Sequence, residues 1–127
     1  MPHHRAPVHE PFLTEERCTI YEYLNADASP DLSIAECTVA AGVTTQLHRL
    51  PVSERYLIQA GCGTMEIDRD EVFEVQVGDC VLIPPGAAQR IHNPGPETLR
   101  FLAICMPRFA PHHYESLEIE PLPPIGT

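Results

Sequence analysis

The chain contains no lysine: all eight of its basic residues are arginine. That absence rules out Schiff-base catalysis and a P-loop phosphate lysine. Positive charge is scarce altogether, with eight basic residues against 18 acidic ones and a formal charge of -10. This is the wrong sign of field for a protein that tracks nucleic-acid phosphates. No run approaches the roughly 18 consecutive apolar residues of a membrane-spanning helix, and the opening MPHHRAPVHEPF lacks the apolar stretch of a signal peptide. A cytoplasmic, soluble protein is expected, with neither nucleic acid nor membrane as partner. Its 127 residues, 43% hydrophobic and only 6% aromatic, suit one core with little room for a second, so residues 1–127 are expected to form a single domain.

Cysteine pairing is missing too. Cys18, Cys37, Cys62, Cys80 and Cys105 lie far apart, form no CxxC and are odd in number, which argues against a disulfide framework and a thiolate zinc site. Cys37, Cys80 and Cys105 fall inside apolar runs and are expected to pack as small hydrophobes.

No segment keeps a helical apolar period for three turns; short β-rich runs recur instead between turn signals. Strands are predicted at Cys18 to Leu24, Leu32 to Ala40, Thr45 to Leu50, Glu54 to Ala60, Gly63 to Asp68, Val72 to Val75, Cys80 to Ile83, Gln89 to Asn93 and Leu99 to Met106, with an edge strand at Tyr114 to Ile119. Turn residues such as Ser29-Pro30-Asp31, Gly78-Asp79 and Asn93-Pro94-Gly95-Pro96 separate them. Proline-rich ends, carrying His3, His4, His9, His112 and His113, read as tails or edge pieces. Short strands at this spacing imply an all-β sandwich or small barrel whose mouth is the place to look for function.

Strand parity selects the residues that face that mouth. His48 and Leu50 share one face of a strand, and Glu54, Tyr56 and Ile58 share one face of the next. A buried carboxylate is costly and is relieved by a metal, an arginine or protonation. Gln89, leading a third strand, offers an amide oxygen to the same region. Arg90 and His92 have the opposite parity and are expected to face solvent or an interface, while Arg100 is expected to pair with an acid across a sheet or subunit boundary.

The spacing of these residues resembles the cupin superfamily. Gly42, five residues, His48, one residue, Leu50, three residues, Glu54, six residues and Gly61 follow its first motif, with Leu50 at a histidine position. Gly78, five residues, Pro84, one residue, Gly86, two residues, Gln89, three residues and Asn93 follow its second, with Gln89 at the histidine position. The resemblance implies a jelly-roll barrel, the cupin-type double-stranded β-helix. It also implies that His48, Glu54 and Gln89 form a reduced site for a divalent transition metal (Mn, Fe, Ni or Zn), with Leu50 unable to ligate. Cupins commonly pair through an outer sheet face, and both faces of Leu99 to Met106 are largely apolar, so a homodimer is expected.

Two functions follow. One is a metal-dependent enzyme acting on a small organic substrate, by dioxygenase, isomerase, decarboxylase or cyclase chemistry. The other is a metal-free binding or sensing module whose ligand meets Leu50, Tyr56 and Ile58, with His48 and Glu54 bonded to each other and the imidazole thereby charged. No helix-turn-helix accompanies the barrel, which excludes a one-chain DNA-binding regulator.

Overall fold

The computed structural model describes residues 2–118, 120 and 122–126. Ile119 and Pro121, the end of the predicted edge strand and a tail proline, lie outside the described residues. The strands are β1 (Phe12–Leu13), β2 (Thr19–Leu24), β3 (Ser33–Val39), β4 (His48–Arg49), β5 (Ser53–Ala60), β6 (Cys62–Ile67), β7 (Glu71–Gln76), β8 (Cys80–Ile83), β9 (Gln89–His92), β10 (Leu99–Met106) and β11 (Glu115–Ser116). They form two antiparallel sheets, ordered β1-β2-β3-β10-β5-β8 and β11-β4-β9-β6-β7. Among the described residues no helix is long and apolar enough to cross a membrane.

The predicted alternation is what closes the two sheets on each other. In β10 every second residue, Leu99, Phe101, Ala103 and Cys105, points inward and is buried. Its neighbours contribute Cys37 and Val39 from β3 and Glu54, Tyr56 and Ile58 from β5. Across the interior Cys37, Val39, Tyr56, Ile58, Leu99, Phe101 and Ala103 meet Met65, Ile67 and Ile91 of the second sheet in one cluster, while Cys105 packs with Leu50 and Val52. Each large side chain buried there contributes about 1.5–3 kcal/mol relative to exposure, enough to fix the register, since a one-residue slip would turn the whole set outward.

The motif glycines and Asn93 do backbone work. Gly61 holds φ at +76°, and a Cβ there would stand 2.5 Å from the Thr98 carbonyl oxygen, so a side chain would force the turn apart. Asn93 donates from Nδ2 to the carbonyls of Val39 and Glu97 and accepts the Gly95 amide on Oδ1. The Gly86 amide donates to the Leu50 carbonyl at 2.7 Å, tying the second motif to the first.

Several expectations are revised. The strand predicted over Thr45 to Leu50 shortens to His48–Arg49, preceded by an isolated bridge from Thr44 to His92. Cys80 is exposed, not packed in the core, because Val81 and Ile83 take the inward parity of edge strand β8. Arg90 does not face solvent: it lies opposite Glu66 on the neighbouring strand, and two hydrogen bonds of 3.0 Å join guanidinium to carboxylate. Both side chains are buried. His92 is half-buried, with Nδ1 2.8 Å from Thr44 Oγ1. Arg100 does pair with an acid, Glu36, at 3.5 Å across the first sheet.

Removing one member of a buried ion pair strands the other. Arg90→Ala should lower stability by about 3 kcal/mol in urea unfolding, whereas the double variant Glu66→Leu/Arg90→Met should recover most of that loss. An Arg90→Ala loss below about 1 kcal/mol would show that water reaches the pair and relieves it.

Candidate functional site

A cavity of ≈ 460 Å³ opens between the sheets. Its wall is built from the inner faces of β2, β3, β5 and β10, from β4 with the following Leu50, from the loop before β2, and from the segment after β10 that carries Phe109 and Tyr114. The wall is mostly apolar, with its polar groups converging near β4 and β5.

His48 and Gln89 face each other across β4 and β9. Glu54 lies between Ile83 of β8 and Cys105 of β10. The three residues singled out as polar and inward are therefore brought together, and their hydrogen bonds define their chemistry. Gln89 Nε2 donates to Glu54 Oε1 at 2.9 Å, and the Tyr56 hydroxyl donates to Gln89 Oε1 at 2.7 Å. The Cys105 thiol points to Glu54 Oε2 at 3.6 Å. His48 Nδ1 lies 2.8 Å from the Gln46 carbonyl oxygen and so carries the proton, leaving Nε2 as an acceptor. The imidazole stacks on Tyr114 at 4.8 Å, and the Tyr114 hydroxyl donates to Gln46 Oε1.

Burial sets the protonation states. It raises the Glu54 carboxyl from 4.5 to about 7, with the Gln89 amide offsetting only part of the cost. It lowers the His48 imidazole below its ordinary value, again against partial relief from Gln46. The expected His48–Glu54 hydrogen bond is absent among the described residues, and the imidazole is held neutral, not charged. Burial and then the neighbouring Glu54 raise the Tyr56 phenol. Half-buried Glu16, in the loop before β2, is likewise raised to about 7 by burial.

Leu50 and Tyr56 line the cavity. Ile58 does not: it lies two residues deeper on β5, in the apolar cluster with Phe101 and Leu99. Gln89 sits behind Glu54 and Tyr56 and is not on the wall. A divalent ion held by His48, Glu54 and Gln89 would need the Gln89 oxygen, which already accepts from Tyr56, while the Gln89 amide nitrogen meets the carboxyl that should bind the ion. Among the described residues no group of three or more His, Cys, Asp or Glu is placed to hold a metal. As arranged, these donors do not fit one. Sequence reasoning missed Tyr114, Cys105 and Glu16 as wall residues. The inward parity of β10 carried the signal for Cys105; Glu16 sits in a loop with no periodicity to read.

Residues 35–105 match the family model described as "Cupin domain". An uncharacterised protein of Methanocaldococcus jannaschii is 35% identical over 113 residues, 87% of each chain. Among solved structures, an oxalate decarboxylase superposes with a TM-score of 0.74 at 25% identity, covering 86% of this chain. This chain spans only 30% of that enzyme's length. A cupin 2 conserved barrel domain protein from Salinispora arenicola superposes at 0.70 and 19% identity, covering 83% of this chain and 89% of that one.

The native state holds a proton on Glu54 up to about pH 7, which the unfolded chain releases near its ordinary 4.5. This group's contribution to stability is therefore fully present below pH 4.5 and is lost as the pH rises through 7. Glu54→Gln should flatten that decline and, at pH 8, stabilise the protein by about 1–3 kcal/mol, as read from urea unfolding across the pH range. Slope remaining in the variant combines Glu16, which acts with the same sign, and His48, whose lowered value acts with the opposite sign. An unchanged profile would show that Glu54 is ionised throughout.

Proposed function

The chain belongs to the cupin family, and from that premise we propose that it binds a small, largely apolar organic molecule in a pocket that works without a metal. The observation that carries this reading is the amide of Gln89 bonded to the carboxyl of Glu54, with Leu50 in the wall at the other altered motif position. A neutral hydrogen-bond donor does for the buried carboxyl what a cation does elsewhere. Leu50 and Tyr56 contact the apolar body of the ligand, and His48 Nε2 and Glu54 read its polar group. A pocket of this volume, apolar with a few convergent polar atoms, is the usual form of a small-molecule site.

Oxalate is a poor candidate for this ligand despite the likeness to oxalate decarboxylase. It is a dianion, and none of the described residues lining the cavity is Arg. A metal held by His48 and Glu54 without Gln89 is the second reading, favoured by the open Nε2 of His48 on the same wall as Glu54.

Titration of the full chain with n-hexanol, followed by methyl NMR, should give saturable binding that Ala103→Phe abolishes by filling the cavity while circular dichroism is unchanged. Titration with Mn(II) should give the same stoichiometry for wild type and His48→Ala, because any metal bound is then held by the terminal histidines. Loss of one equivalent in His48→Ala, with no hexanol binding, would replace this reading with the metal site.

The same proposal covers assembly. On the outer face of the six-stranded sheet, Leu57 lies opposite Leu102, and Leu82, opposite Arg55, is exposed. A second copy covering this apolar face would make a homodimer. Light scattering should give twice the chain mass at micromolar concentration, falling to one chain mass in Leu82→Glu/Leu102→Glu; a wild-type monomer mass throughout would remove the dimer.

A further inference from the structure

We infer that the ligand of this cavity is an organic cation, an apolar body carrying a protonated amine. The inference deepens the proposed pocket function and rests on it. Its first ground is a set of acids with no arginine beside them on the described wall. Glu15, Glu16, Glu22 and Glu54 line the cavity, and no described lining residue is Arg. Five acids elsewhere are matched with arginines: Glu66 with Arg90, Glu118 with Arg17, Glu115 with Arg49, Glu36 with Arg100 and Asp27 with Arg108. Inside the cavity the acids have only neutral partners. Glu54 takes the Gln89 amide and the Cys105 thiol, Glu22 takes the Asn25 amide at 2.9 Å, and Glu16 has the Cys18 thiol at 3.9 Å.

The second ground is independent of charge. His48 is 3% exposed and stands on the cavity wall. Its Nδ1 proton is committed to Gln46, and Nε2 has no partner among the described residues. Among the described residues no fully buried side-chain nitrogen or oxygen lacks a partner, so Nε2 reaches the open space of the cavity with a lone pair to offer. The Tyr56 hydrogen is used on Gln89, the Tyr114 hydrogen on Gln46 and the two thiols on their carboxyls, while Ser33 Oγ accepts the Phe109 amide. His48 Nε2 is the group left to accept a hydrogen bond from the ligand, on the same wall as the acids.

A ligand matching acceptors and negative charge must donate and be positive. An ammonium brings up to three N–H donors on one centre, and its charge lowers the cost of ionising buried carboxyls beside it. The adjoining wall, with Leu50, Ala103 and the faces of Phe101 and Phe109, suits a hydrocarbon body and not a hydrated ion. A carboxylate ligand would face four acids with no arginine among the described lining residues to oppose its charge.

The experiment uses three probes with one hydrocarbon body: n-hexylamine, n-hexanol and n-hexanoate, titrated by calorimetry into the full chain at pH 7.5. Hexylamine should bind about tenfold tighter than hexanol, with hexanoate weaker than both. Glu54→Gln and, separately, Glu16→Gln should each reduce the ratio of amine to alcohol affinity several-fold. The two variants lie in different parts of the chain, so misfolding of one leaves the other decisive. Hexanoate binding as tightly as hexylamine, or a ratio untouched in both variants, would overturn the cation assignment while hexanol binding kept the pocket reading alive. If none of the three binds, the pocket reading itself fails.

Discussion

A carboxyl group buried at the mouth of a β-barrel is the constraint around which this site is arranged. Glu54 is 5% exposed, and an ionised carboxylate in that setting would cost several kcal/mol unless something opposed its charge. No cationic group among the described residues does so. The neighbours instead supply neutral hydrogens, an amide from Gln89 and a thiol from Cys105, and the carboxyl keeps its proton to about pH 7. The orientations of Gln89 and Tyr56 follow. Gln89 must turn its amide toward Glu54, so its oxygen is free for Tyr56. Tyr56 must then give its hydrogen to that oxygen and cannot offer it to a ligand.

The fold was legible in the sequence to the extent that it depends on alternation. β3, β5, β8 and β10 place buried side chains on every second residue, and their apolar spacing could be read without any knowledge of partners. The readings that failed concern residues whose fate is decided across strands. Arg90 has outward parity, yet Glu66 stands opposite it on β6 and converts a solvated position into a buried pair. Cys80 lies in an apolar run, but β8 is the last strand of its sheet and its outer face has no cover. Thr45 to Leu50 reads as a strand because Leu47 and Leu50 are apolar; only His48 and Arg49 find ladder partners.

The candidate site divides along the same line. Parity put His48, Glu54 and Tyr56 on one side, and the structure brings them to one mouth. Parity could not say which atom of Gln89 faces Glu54, or that Ile58 lies beyond the cavity in the core. Those outcomes depend on depth along β5 and on competition for donors. Tyr114 returns from the end of the chain to stack on His48, a contact with no local signature.

Departures at Leu50 and Gln89 are easier to understand together than apart. Replacing one histidine of a metal site by leucine removes a donor and leaves the carboxylate more costly to bury. Replacing a second by glutamine supplies an N–H where a lone pair had been, and that N–H is what a buried carboxyl without a cation requires. The motif positions that shape the backbone are kept for a different reason. Gly61 passes too close to Thr98 to carry a side chain, and Asn93 holds three backbone groups at once. Neither role depends on what the pocket binds. A barrel of this kind can therefore keep its turns while its mouth changes from donating lone pairs to a resident ion to offering them to an incoming one.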